Sequence, residues 1–282
     1  MAKHRRHIAL PAHGQVLVST DVHGDGHAFR ALEARWRSAR ASVPQTHWVI
    51  LGDIVHGPSP EFRRRQPELY DYQDESAWIG ERVIALQGEA PDLVHLVLGN
   101  HDYAHIGGPR TRKFYHDEAE TLEAQLRPPA RERLRALFER AALAVSTPCG
   151  VLMTHGAPNE ALRDLSVLEE LESFPPTAPL LEEILDGVLF AYGQSGDVID
   201  AVCAACSAAP GYPHDRPLRV VVHGHDRDEE GWFTEAHNQF VPVIFGAPRQ
   251  NQRHLMLDLT AYYRDVSDIR DGLELQRLFP TE

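Results

Sequence analysis

The sequence predicts an α/β fold in which sheets are layered beneath outer helices. Six short apolar runs, five or six residues long and rich in Val, Ile and Leu, have the length and composition of buried strands. Helical patterns alternate with these runs along most of the chain, the order expected of an α/β protein. Each run also stops at a polar cluster or a small-residue turn, which sets the direction in which functional groups are displayed.

The runs are QVLVS (15–19), HWVIL (47–51), LVHLVL (93–98), GVLMT (150–154), LRVVV (218–222) and FVPVIF (240–245). The first ends at Thr20-Asp21, the second at Gly52-Asp53 and the third at Gly99-Asn100-His101-Asp102. The fourth ends at His155-Gly156, the fifth at His223-Gly224-His225-Asp226, and the sixth at Gly246-Ala247-Pro248. Residues 26–42 carry Phe29, Leu32 and Trp36 at the i, i+3, i+7 spacing of a helix that buries one face. Residues 71–90 read similarly, with Gly88 placed as a C-cap. Amphipathic patterns at 117–126, 130–143, 166–174 and 178–190 complete the helical set. No repeat or linker divides the chain. It reads as a single domain over 1–282, with helix-rich residues 103–150 as a candidate cap or lateral subdomain. The Pro-rich stretches at 173–179 and 208–217 read as loops within it.

Composition narrows the function. A net charge of -13 repels polyanions, so nucleic acid is not an expected partner. The basic runs Arg63-Arg64-Arg65 and Lys3-His4-Arg5-Arg6 read as a solvated face and a tail. Three cysteines, Cys149, Cys203 and Cys206, are too few and too odd in number for a disulfide framework and indicate a reducing compartment. Cys203 and Cys206 fall at helical spacing in DVIDAVCAACSAA, where they read as small buried residues. There is no apolar signal region and no run near the ~20 apolar residues of a membrane span. The expectation is a cytoplasmic protein with no membrane partner; the sequence carries no signal of oligomeric state.

Five of the six strand ends carry a carboxylate, an amide or a histidine, the ligand types of hard and borderline divalent cations. In open α/β sheets ligands bind at the carboxyl ends of strands. The ordered series Asp21-Val22-His23-Gly24, Gly52-Asp53, Gly99-Asn100-His101-Asp102, His155-Gly156, Gly224-His225 resembles the calcineurin-like metallophosphoesterase signature. The resemblance runs from about 15 to 260. Gly24 after His23, FYHDEAETL (114–122) and the closing VPVIFGAPRQNQRHLMLDL are similar to the phosphoprotein phosphatase branch, which includes the serine/threonine phosphatases. Arg227 stands where many other metallophosphoesterases have a further ligating histidine, which points to the same branch.

The resemblance implies a layered sandwich of two central mixed sheets flanked by helices. It implies two divalent metal ions, Mn2+ or alternatively Fe or Zn2+, and in-line attack on phosphomonoesters by a metal-bridging hydroxide. Metal one takes Asp21, His23 and Asp53; metal two takes Asp53 as bridge with Asn100, His155 and His225. His101 is the general acid, with Asp102 and His56 grouped beside it. His223 is either a support for the ligands or a ligand in a register shifted by two. Asp25 and His27 lie outside the motif and read as a helix-start carboxylate and a rim histidine.

The chain departs from the family in the second motif, Gly52-Asp53-Ile54-Val55-His56-Gly57-Pro58. His56 replaces an aspartate that would pair with the acid, and Gly57 replaces an arginine that would grip phosphate oxygens. Substitutes for that arginine are Arg63 to Arg65, Arg110, Arg112, Arg227 and Arg249. Of these, Arg227 and Arg249 lie next to motif elements and are the expected substrate-binding pair. The expected substrate is a phosphoprotein or a small phosphate ester. A nucleotide or dinucleoside polyphosphate hydrolase, and a metal-binding module with lost or changed activity, are the alternative readings.

Overall fold

The computed structural model describes residues 5–279. Its first strands are β1 (His7–Ala9), β2 (Gln15–Ser19), β3 (Thr46–Ile50), β4 (Val94–Leu96), β5 (Ala144–Ser146) and β6 (Val151–Met153). Then follow β7 (Val220–Val222), β8 (Trp232–Glu235), β9 (Gln239–Pro242), β10 (Arg253–Asp258) and β11 (Leu275–Arg277). The helices are α1 (Gly26–Ser42), α2 (Pro60–Arg65), α3 (Ser76–Glu89) and α4 (Asn100–Tyr103). They continue as α5 (Glu118–Gln125), α6 (Pro128–Glu139), α7 (Pro179–Leu185) and α8 (Gly196–Ala208).

The strands form two mixed sheets, one in the order β11-β10-β2-β3-β4 and the other β1-β5-β6-β7-β9-β8. Alternation along each strand explains why they stack. In β2, Val16 and Val18 point into a core shared with Val151 and Met153 of β6 and Val220 and Val222 of β7. Leu17, between them, points the other way, into the core with Phe29, Leu32 and Trp36 of α1. Both faces of β2 are therefore apolar, as the unbroken run requires. Because β2, β3 and β4 are parallel, as are β6 and β7, their carboxyl ends present the polar clusters together.

All six expected strands are present. β1, β5, β8, β10 and β11 lie outside those six runs: three of them are only three residues long, too short for a periodicity to register. Arg6 is not part of a solvated tail. It is 3% exposed, and its Nη1 donates to the carbonyls of Glu139 (2.8 Å) and Ala141 (3.0 Å). Lys3 and His4 lie outside the described residues. Arg63, Arg64 and Arg65 occupy the last turn of α2, where cations suit the helix dipole. Gly88 lies inside α3, which is capped at Ala90. The 166–174 pattern becomes a 3-10 helix at Leu165–Glu170, and the pattern ending at 190 finishes as a π-helical turn over Asp186–Phe190. Within 103–150, α6 sets Leu134, Leu137 and Phe138 into the main core, and β5 joins the six-stranded sheet. Cys203 and Cys206 are free, buried residues of α8. Among the described residues no helix is long and apolar enough to cross a membrane.

Candidate metal centre and its histidine network

The two sheets contribute different groups to one place. Asp21 and His23 follow β2, Asp53 and His56 follow β3, and Asn100 and His101 open α4 just beyond β4. His155 follows β6, and His225 follows β7. Hydrogen bonds cross between the layers here: His155 Nδ1 donates to the Leu51 carbonyl (2.6 Å), and Thr20 Oγ1 to that of Pro242 (2.7 Å). Among the described residues, five of the six non-glycine residues with positive φ belong to this cluster: Asp21 (34°), His23 (40°), Asp53 (50°), His56 (70°) and His225 (67°). Such strain persists only where surroundings over-determine it, and it clusters at functional sites. Gly99 is needed for close approach: a Cβ there would lie 2.2 Å from Asp53 Oδ1.

Asp53 is the centre of the arrangement. Its Oδ2 lies 3.5 Å from His23 Nε2, 3.6 Å from His155 Nε2 and 4.0 Å from His101 Nε2. Asn100 Oδ1 lies 3.0 Å from both His155 Nε2 and His225 Nδ1. Two groups of donors, His23–Asp53–His101 and Asp53–His155–His225, each converge within 4.8 Å, with Asp53 common to both. Asp21 stands outside these groups. Both its oxygens accept the His225 N–H, at 3.2 and 3.0 Å.

These residues fit a pair of cations on their own chemistry. His23 Nδ1 faces the Val55 carbonyl (3.1 Å), and His155 Nδ1 faces that of Leu51. Each ring must therefore carry its proton on Nδ1 and turn the Nε2 lone pair toward Asp53. Burial keeps all three histidines neutral: it lowers His155, pushes His225 down to about 3, and, reinforced by the Lys113 ammonium, holds His23 well below its usual range. Asp21 is pushed well up by burial and by the Asp53 charge. A buried carboxylate shared by two groups of neutral lone-pair donors is a set that divalent cations satisfy.

Behind the centre lies a chain of three histidines. His101 Nδ1 is 2.9 Å from His56 Nδ1, His56 Nε2 is 2.9 Å from His105 Nε2, and His105 Nδ1 is 2.9 Å from Glu123 Oε1. Protons can be assigned from the carboxylate end. Ionised Glu123 only accepts, so His105 carries its proton on Nδ1. Burial keeps His105 and His56 neutral. His105 Nε2 then accepts, so His56 donates from Nε2 and offers a lone pair at Nδ1. Thr111 Oγ1 lies 3.3 Å from that nitrogen and His101 closer, so His101 carries a proton on Nδ1. Glu118 Oε2 is 3.3 Å from the same His101 atom. Burial opposes ionisation of Glu118, but His101 and the Phe114 N–H (2.8 Å) hold its carboxyl below the usual range. The carboxylate missing at position 56 is thus supplied by Glu118.

The remaining expected residues are placed differently. The Asp102 carboxylate accepts the backbone N–H groups of Asp53 (2.8 Å), Ile54 (3.2 Å) and Gly99 (3.1 Å). It ties the Asp53 loop to the start of α4 and does not face His101. His56 lies behind His101. His223 is buried, with Nδ1 on the Gly224 carbonyl (3.0 Å), and belongs to neither donor group. Arg249 is committed to Asp71 and to His27 (2.6 Å) and stacks on Phe279, away from the ligands. Arg227 is exposed and lies against Tyr70. Asp25 caps α1, accepting from His27 and Ala28 N–H at 2.9 Å, as expected. Glu118, His105 and Glu123 escaped the sequence reading, although Glu118 sits in the quoted FYHDEAETL stretch.

A model of calcineurin-like phosphoesterases matches residues 14–227. A protein serine/threonine phosphatase from Saccharomyces cerevisiae superposes with a TM-score of 0.61 at 15% identity, over 90% of this chain and 76% of that one. A cold-active protein-tyrosine phosphatase of a psychrophilic Shewanella does so with a TM-score of 0.58 at 14% identity, over 90% and 78%. At these identities the likeness is one of fold. No curated protein matches the sequence.

Proposed function

Since the chain belongs to the calcineurin-like phosphoesterase family and is a metal-dependent phosphatase, we propose that it hydrolyses phosphomonoesters with alkyl leaving groups, as in phosphoserine and phosphothreonine peptides. The observation that carries this is the backing of His101. Its Nδ1 meets the Glu118 carboxylate at 3.3 Å while its Nε2 faces the Asp53 side, 4.0 Å from Oδ2. An alkoxide leaves poorly unless it is protonated, so an acid stabilised in its cationic form matters most for such esters.

Two divalent cations, Mn2+ or alternatively Fe or Zn2+, would polarise the phosphoryl oxygens and acidify a water when held here. His23 and Asp53 would hold one; Asp53, Asn100, His155 and His225 would hold the other, and Asp21 stands beside them. Asn100 adds a ligand oxygen without adding negative charge, which keeps the centre attractive to a phosphate. His101 gives its Nε2 proton to the departing oxygen. Glu118 and the His56–His105–Glu123 chain hold that ring in one orientation and one tautomer.

The test is turnover by protein stripped of metal and reloaded separately with Mn2+, Fe2+ or Zn2+, on p-nitrophenyl phosphate, a phosphoserine peptide and a dinucleoside polyphosphate. Metal-restored hydrolysis with the peptide ahead of the dinucleoside polyphosphate is expected. The reverse ranking would replace this reading with a nucleotide hydrolase. No turnover with two cations bound would make the chain a metal-binding module.

A further inference from the structure

The missing phosphate-gripping arginine cannot return where the family carries it. A Cβ at Gly57 would lie 2.7 Å from Asp74 Cβ and 2.9 Å from Asp74 Cα, so the fold has closed over that place. Three of the candidate arginines are paired with carboxylates: Arg249 with Asp71, Arg110 with Asp117, and Arg65 with Glu61. A phosphate dianion at the centre still needs a cation from the chain.

We propose that Lys113, on the loop between α4 and α5, is the phosphate-binding cation of this enzyme. That loop is pinned across the centre at three points. Thr111 Oγ1 reaches His56, the Phe114 N–H reaches Glu118, and the Lys113 ammonium lies 4.2 Å from the centroid of the Phe245 ring. The Phe245 ring in turn packs at 4.1 Å on the imidazole of His23, a ligand. Lys113 is exposed, and among the described residues no carboxylate lies within 4.0 Å of its ammonium. Burial lowers the Lys113 ammonium from its usual range while Asp53 and Asp21 oppose that shift, and its charge adds to the lowering of His23, His155 and His225. An unpaired cation resting on an aromatic face beside a ligand is free to turn toward an anion entering the centre. A lysine is a point charge on a flexible stem, unlike the rigid arginine fork. The grip is therefore less directional, and it admits phosphate groups in more than one orientation.

This inference rests on the phosphomonoesterase reading, and the experiment separates the two. Inorganic phosphate binding to the metal-loaded protein is measured by calorimetry, with metal content determined on the same samples, alongside the KM for p-nitrophenyl phosphate. In Lys113→Ala the phosphate Kd and the KM are expected to rise about 10- to 100-fold, the loss of one charge-assisted contact, with metal content unchanged. Lys113→Arg should restore most of the affinity. Wild-type phosphate affinity in Lys113→Ala, with both cations present, overturns the role of Lys113 and leaves the function standing. A wild-type protein that binds no phosphate and cleaves no ester when loaded overturns both.

Discussion

Glu118→Gln isolates the electrostatic part of the proposed acid. The substitution removes one charge and keeps the shape, and the amide oxygen can still accept the Phe114 N–H that Oε1 holds at 2.8 Å. Glu118 is 1% exposed, so water does not replace the lost charge. At 3.3 Å and an effective dielectric of about 20, the attraction between carboxylate and imidazolium is about 5 kcal/mol. The amide dipole recovers part of this, leaving a net loss of about half. About 2.7 kcal/mol corresponds to a rate loss of roughly 100-fold. The assay compares kcat on a phosphoserine peptide and on p-nitrophenyl phosphate at pH 7, with metal content and melting temperature as controls. The peptide should show the full loss. The nitrophenolate, which leaves without a proton, should show only a small one. Equal losses on both esters would refute the assignment of His101 as an acid supported by Glu118.

Asp53→Asn should strip both cations together, because Oδ2 belongs to both donor groups; metal analysis finding two ions per chain would contradict the bridging role. Gly99→Ala should displace the Asp53 carboxylate, lowering metal content and costing about 1–3 kcal/mol in urea melts. Gly88→Ala, in α3 with open space around its Cβ, should instead stabilise by about 0.5–1 kcal/mol. Burial pushes His254 and His223 down to about 4, below the ~6.5 of the unfolded chain. The unfolded state therefore binds more protons, and stability should fall as pH drops from about 6.5 toward 4. His254→Leu removes one such group, whose ring nitrogens have no hydrogen-bond partner among the described residues, and should shrink the difference between melts at pH 7.5 and pH 5.0. An unchanged difference would assign the acid sensitivity to other groups.

What could be read from the sequence follows from which interactions are local. His23, Asp53, His155 and His225 were legible because each sits within a few residues of an apolar run, and parallel strands bring their ends together. Asp102 was misread because adjacency to His101 along the chain says little about direction: on the first turn of α4 the two side chains point apart, one to amides and the other to the centre. His56 meets His105 across 49 residue steps and His105 meets Glu123 across 18, and no spacing rule reports such pairs. Glu118 and Lys113 lie on a segment whose path is set by its anchors on Thr111 and Phe245 rather than by its own periodicity. Buried Arg6 looked like a tail because basic residues at a chain start usually are; three carbonyls left free by neighbouring elements claim it instead.

The division of the candidate ligands between the sheets has a mechanical consequence. Asp53 and Asn100 extend from one leaf of the sandwich, and His155 and His225 from the other. Cations seated among them would act as rivets through both leaves. Ligand groups are rarely preformed in an unfolded chain, so the free energy of loading is added to the cohesion of the layers. The catalytic centre and the join between the leaves are then one object. Whatever loosens the seam, whether heat, denaturant or a void among the valines, should release the cations before the helices melt. Chelation, conversely, should loosen the sandwich at its seam first.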